Sequence, residues 1–143
     1  VDDKNEQNVI AAKYYEAVSS LLLGNSKGET KIIAFVKENP TSLMANHANF
    51  LYANNLFKEK KYRNAIKIYK NINKESLNNE EQHECSFKEA YCYYQTGHRY
   101  DFYNYLKMSI SINPKDTQFF FKDVFPVGVP PEEYPYYIKN RFF

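Results

Sequence analysis

Short helix-like segments recur along this chain in pairs, and this repetition limits the fold more than any other feature of the sequence. A break follows the first helix of three successive pairs, at Gly24, at Glu59-Lys60 and at Gly97. The terminators Pro40 and Pro114 lie two periods apart. The period is about 36 residues, and repetition on this scale is typical of stacked helix pairs.

Apolar residues at helical spacing predict seven helices. Ser42 is expected to cap the third helix, and Asn79, with Gln82 at the capping-box offset, the fifth. The stretch 125–135 contains four prolines and is not expected to form a regular helix. The predicted helices cover about 9–23, 30–37, 43–58, 62–73, 80–95, 100–112 and 117–124. We therefore predict an all-α helical repeat domain over 1–118, and an aromatic, proline-rich capping segment or tail over 119–143.

Composition and motifs exclude several classes of function. The net charge of +2 is too small for a general nucleic-acid binder, and no apolar run approaches the ~20 residues that span a membrane. No P-loop, H-E-x-x-H, G-x-S-x-G or C-x-x-C motif occurs. We therefore expect no enzyme activity, no cofactor and no metal, with His47, His83 and His98 as surface or groove residues. Cys85 and Cys92 are seven residues apart on one predicted helix, too far for a disulfide.

Two segments resemble the tetratricopeptide repeat (TPR) family. They are FLYANNLFKEKKYRNAIKIYKNI, at 50–72, and FKEAYCYYQTG, at 87–97. Ala53 and Ala65 occupy the family's small positions, and Tyr69 completes its A-x3-F pattern. The resemblance covers about 9–115 and is greatest to bacterial envelope-associated TPR scaffold proteins. The chain departs from the family's sequence pattern at Glu89, where an apolar residue is usual, and at Phe102, where alanine is usual.

The resemblance implies a right-handed α-solenoid of about three antiparallel helix pairs, plus a C-terminal capping helix and an irregular tail. It also implies a scaffold or adaptor that binds a protein or peptide, in the periplasm or at the envelope, with a cytoplasmic location as the alternative. TPR domains of one class hold a peptide carboxylate with basic and amide side chains. At the matching positions only Lys88 could serve, so that class is disfavoured.

Aromatic residues on the first helix of each pair are expected to line a concave groove, which would suit an apolar peptide or helix. The expected groove residues are Tyr14, His47, Phe50, Asn54, Phe57, Phe87, Tyr91 and Tyr94. Tyr93 and Ala90 are assigned to the core instead. Alternatively, the rings pack against a neighbouring helix or under the C-terminal segment. The chain would then be a structural or assembly segment, its groove filled by its own tail or by a second copy in a homo-oligomer.

A basic stripe is the second candidate surface. It has two interpretations, a solvated outer face or a patch for an acidic partner. Its members are Lys60, Arg63, Lys67, Lys70 and Lys74, at spacings of three and four residues.

Overall fold

The computed structural model describes the backbone of residues 3–142 and the side chains of residues 3–140. Within this range the chain forms α-helices and short 3-10 turns and no β-strand, so the all-α prediction is confirmed. The α-helices are α1 (Asp3–Leu22), α2 (Gly28–Glu38), α3 (Leu43–Lys58), α4 (Tyr62–Lys70), α5 (Asn79–Gln95), α6 (Arg99–Ile112), α7 (Pro114–Phe120) and α8 (Tyr134–Phe142). The 3-10 turns are Lys74–Ser76 and Pro131–Glu133.

Three turns, those after α1, α3 and α5, have the same backbone structure. Their left-handed residues are Gly24, Lys60 and Gly97, with φ of 74°, 62° and 77°. In each turn the next residue donates its N–H to the carbonyl five positions earlier, at 2.9, 2.9 and 3.0 Å. This is the Schellman ending of a helix. The three breaks predicted from the sequence are therefore equivalent turns, each leading into the helix that packs against the one before.

The described chain divides into two compact units, Val1–Ser76 and Leu77–Phe143. In the first unit α1 packs against α2 and α3 against α4, and α3 also contacts both α1 and α2. Ala53 and Ala65 are fully buried, as expected of small residues at a close helix crossing. Gly28 is a second close approach, because a Cβ there would lie 2.7 Å from the backbone of Leu21.

In the second unit α5 packs against α6, and α6 also contacts α7 and α8. Tyr93 and Ala90 are core residues, as predicted. Cys85 and Cys92 are both fully buried and not bridged. Burial also raises the pKa of the Cys92 thiol to about 12.

Some helix ends lie where the sequence predicts them and others do not. Ser42 caps α3 as predicted, accepting from the Met44 N–H at 3.1 Å. The capping box of α5, however, uses Asn78 and Glu81. α4 ends at Lys70 rather than at 73, which places Lys74 in a 3-10 turn. α7 starts at Pro114 rather than near 117, because the side-chain oxygen of Asn113 caps the helix by accepting from the Asp116 N–H.

The predicted irregular tail contains a helix that the sequence did not reveal, α8. Pro131 and Pro135 each lie in the first turn of a helical segment, where the N–H that proline lacks would have no intrahelical partner. Phe125 stacks on Tyr134 at 3.9 Å between ring centroids, and Phe121 is fully buried. Residues within 119–140 therefore contribute to the core of the second unit, and the division after Ser76 differs from the boundary expected at 118.

Candidate functional site

The expected groove residues fall in both units. In the first unit Tyr14, His47 and Phe50 lie together with Phe35, which was not among the expected residues, and we call these four rings the first aromatic cluster. The Tyr14 hydroxyl and His47 Nδ1 are hydrogen-bonded at 2.6 Å. Ring centroids lie 6.0 Å apart for Tyr14 and Phe35, and 5.7 Å for His47 and Phe50. Phe35 and Phe50 are buried, whereas Tyr14 and His47 are half-buried. The cluster therefore has an apolar base and a partly exposed, hydrogen-bonded edge.

The rest of the predicted stripe on α3 is engaged within the same unit. Asn54 accepts a hydrogen bond from the Tyr69 hydroxyl at 2.6 Å, and the Phe57 ring contacts Tyr62 edge-on at 5.7 Å. Asn54 and Phe57 are half-buried. These side chains thus join α3 to α4, while Phe50 belongs to the core rather than to an open groove wall.

In the second unit the predicted groove residues Phe87 and Tyr91 meet the start of the C-terminal segment. Phe120 lies 4.3 Å from Phe87 and 5.5 Å from Tyr91, measured between ring centroids. Phe121, which is fully buried, lies 6.3 Å from Tyr91. We call these four rings the second aromatic cluster. Of the alternatives that the sequence left open for Phe87 and Tyr91, packing under the C-terminal segment is the one observed.

Tyr94, the last predicted groove residue, lies at the edge of that cluster, with its ring 6.2 Å from that of Tyr91. It is 39% exposed, and its ring is 5.2 Å from Phe102. It lines a cavity of about 140 Å³ between the α5–α6 turn and α8, where Arg99 and Ile138 form other walls. The cavity is large enough for only one small apolar group.

His83 was expected at the surface or in the groove, and that prediction is wrong. The imidazole is 5% exposed, with Nε2 lying 3.2 Å from the Thr117 hydroxyl and 3.3 Å from the Ser109 hydroxyl. The two hydroxyls are 2.7 Å apart. Burial lowers the pKa of His83, while Asp116 and Glu84 act in the opposite direction. One buried polar cluster thus links α5, α6 and α7.

A signal for this burial was present in the sequence. His83, Ser86 and Ala90 follow each other at helical spacing, and they continue to Tyr93 on the same face of α5. All four are buried. Spacing along α5 does not identify the partners Ser109 and Thr117, because they lie on other helices.

Beside His83 lies a cleft of about 440 Å³ with an acidic rim. Glu80, Glu84 and Asp116 line it, and Phe87 forms one apolar wall. No group of three or more His, Cys, Asp or Glu side chains among the described residues is arranged to hold a metal ion. Nor does any helix within 3–142 have the length and apolar character needed to cross a membrane.

Glu89, the departure from the TPR pattern, is fully buried. Burial raises the pKa of Tyr105, and the nearby carboxylate of Glu89 raises it further. The Tyr105 ring lies 5.3 Å from that of Tyr93, whose pKa burial raises to about 12. Both phenols therefore stay protonated at neutral pH.

The basic stripe is divided by the end of α4. Lys60, Arg63, Lys67 and Lys70 are exposed, and we call them the basic face. Lys74 is half-buried in the 3-10 turn beyond the helix and does not continue that face. The opposite side of α4 is buried through Ala65, Ile66 and Tyr69.

No protein-family model, curated protein or solved structure matches this chain significantly.

Proposed function

We propose that this protein is a non-catalytic, TPR-like helical-repeat module that binds another protein. The observation that supports this most is the recurrence of one turn structure after α1, α3 and α5, each leading into a helix that packs back on the one before. A single helix pair cannot bury its apolar face alone, so repeated pairs serve mainly to build extended surfaces. In this proposal the residues of the helix pairs provide the packing between helices and the surfaces that the pairs expose.

The partner-binding surface in this proposal is the exposed edge of the first aromatic cluster. The hydrogen bond between Tyr14 and His47 orients both rings, so little conformational entropy is lost when a partner docks. Tyr15, which is 63% exposed, extends the edge with its ring 5.1 Å from Tyr14. A partly buried aromatic edge with polar atoms suits an apolar or aromatic side chain presented by a peptide or helix.

Site-specific photocrosslinking tests this proposal. p-Benzoylphenylalanine at Tyr15 should crosslink a partner in an extract of source cells, and the product should disappear when Tyr14→Ala and His47→Ala are added. The control places the same crosslinker at Tyr100, which is 74% exposed in the second unit. Equal products at both positions, or a product that the double substitution does not change, would contradict the proposal.

A second candidate function is a structural or assembly role, in which the chain occupies its own groove. It is favoured by the contact of Phe87 and Tyr91 with Phe120 and Phe121. Phe120→Ser, which leaves the buried Phe121 in place, separates the two functions. A binding module keeps the Tyr15 crosslink and does not change in light scattering, whereas an assembly segment forms oligomers through the uncovered rings of Phe87 and Tyr91.

A further inference from the structure

The basic face lowers local stability at two places, the turn before α4 and the first turns of α4 itself. Lys60 adopts φ of 62°, whereas the equivalent positions of the other two turns are Gly24 and Gly97. A side chain in this left-handed conformation costs about 1 kcal/mol relative to glycine. The chain therefore keeps a lysine where glycine would be more stable.

The order of charges along α4 is unfavourable as well. Lys60, Lys61 and Arg63 lie at its N-terminal end, where the helix dipole disfavours cations. No side chain caps this end, and the first turn contains no acidic residue. Glu59 offsets part of the charge through an ion pair with Lys61 at 3.0 Å. Further along, Arg63 and Lys67 are one turn apart, a spacing at which like charges repel.

The second helices of the other two pairs do not have such a face. α2 contains Glu29 and Glu38, and Glu38 pairs with Lys13 at 3.6 Å. α6 has Asp101 in its first turn. Within the described part of the chain, by contrast, neither Arg63 nor Lys67 forms an ion pair. Of these three second helices, α4 is thus the one whose charged residues all have the same sign.

We propose that the basic face, Lys60, Arg63, Lys67 and Lys70, is a docking surface for an acidic segment of a protein partner. Carboxylates on that segment would relieve the repulsion that the free protein tolerates. This surface differs from the first aromatic cluster, so the proposal does not depend on binding there.

Two other anionic partners fit the face less well. A membrane-bound helix needs a free apolar side to enter the lipid, but Ala65, Ile66 and Tyr69 of α4 are already buried in the protein. Single-stranded nucleic acid is bound through aromatic rings interleaved with the cations. The exposed residues of α4 are Arg63, Asn64, Lys67 and Lys70, and none of them is aromatic. An acidic polypeptide needs only the spaced cations.

Fluorescence anisotropy on the full chain tests the proposal with defined probes. The first probe is a fluorescein-labelled decapeptide of alternating Glu and Ser, and the second has Gln in place of Glu. We expect salt-sensitive binding of the Glu peptide only, and about tenfold weaker binding after Arg63→Glu with Lys67→Glu. The matched control, Lys27→Glu with Lys37→Glu, reverses two exposed charges in and beside α2 and should leave the affinity unchanged.

Three results would overturn the proposal: no binding of the Glu peptide at low salt, an equal loss in the control, or tighter binding of phosphatidylserine vesicles or a single-stranded oligonucleotide. If circular dichroism shows that the charge reversal disturbs the fold, Arg63→Gln with Lys67→Gln replaces it. An unchanged affinity of the Glu peptide for that variant would also overturn the proposal. Tyr14→Ala with His47→Ala should not affect peptide binding, which keeps this result separate from the proposed crosslinking.

Discussion

Three residues occupy equivalent left-handed turn positions, and only Lys60 has a side chain there. We expect Lys60→Gly to raise the free energy of unfolding by about 1 kcal/mol, because the backbone strain is relieved. Gly97→Ala should lower it by a similar amount, since the new Cβ meets no neighbour and only φ matters. Urea denaturation measures both changes, and a shift of the same sign in both variants would contradict the equivalence of the turns.

Individual core positions could be predicted at the small residues that the repeat resemblance implied. Ala53 and Ala65 were expected at the family's small positions and Ala90 in the core, and all three are fully buried. For Glu89 and His83 the spacing indicates only which face of α5 they lie on, because a polar side chain is buried only when partners on other helices satisfy it. Those partners are distant in sequence, and no spacing rule identifies them.

At the scale of elements, the crossing of α1 and α2 depends on Gly28. We expect Gly28→Ala to lower the free energy of unfolding by about 1–3 kcal/mol, because its Cβ would meet backbone atoms of Leu21 and Ser20, which cannot move aside cheaply. Thermal or urea denaturation measures the change. Lys27→Ala, at the exposed neighbouring position, is the control and should change stability by less than about 0.5 kcal/mol. Equal effects of the two substitutions would mean that the close approach is unimportant.

The buried polar cluster should make the packing of α5, α6 and α7 sensitive to acid. Burial holds the pKa of His83 below its ordinary 6.5, with Asp116 and Glu84 opposing. The unfolded chain therefore binds the proton more readily than the folded one. The contribution of neutral His83 to stability is complete above about pH 6.5 and is lost as the pH falls through the folded pKa.

Urea denaturation at about pH 7.5 and about pH 5 checks this expectation. His83→Gln should be less stable at the higher pH but should lose less stability on acidification than the unaltered protein. His98→Gln removes an exposed histidine and should keep the full acid loss. If His83→Gln loses as much stability on acidification as the unaltered protein does, other titrating groups cause that loss.

The sequence predicts elements well where the signals of a boundary are local. The cap at Ser42 and the end of α5 before Gly97 were both located to the residue. The cap of α5 was displaced by one position, because Asn78 and Asn79 are adjacent and either has a suitable side chain. The sequence does not predict α8, because the four prolines of 125–135 are unfavourable inside a regular helix, whereas Pro135 lies in the first turn of α8, where proline is compatible.

At the scale of the whole molecule, the predicted groove depends on information that helical spacing does not contain. The spacing placed Phe87 and Tyr91 on one face of α5, separate from the core face of Tyr93. It could not show that Phe120 would lie against that face, because the contact joins residues about 30 positions apart. Which face remains open is decided by such long-range contacts, and so the candidate site was predicted less completely than the fold class.

Phe119 and Phe121, one exposed and the other buried, allow the role of the C-terminal segment to be measured. Phe121 is fully buried, and its ring lies near those of Tyr91, Phe102 and Phe125, all in the second unit. We expect Phe121→Ala to lower the free energy of unfolding by about 3–5 kcal/mol, with amide hydrogen exchange accelerated mainly within 77–142. Phe119→Ala is the control, because that ring is 72% exposed, and it should cost less than about 1 kcal/mol. If both substitutions have small effects, the C-terminal segment is a dispensable cover rather than part of the core, and the self-filled groove of the assembly proposal loses its structural support.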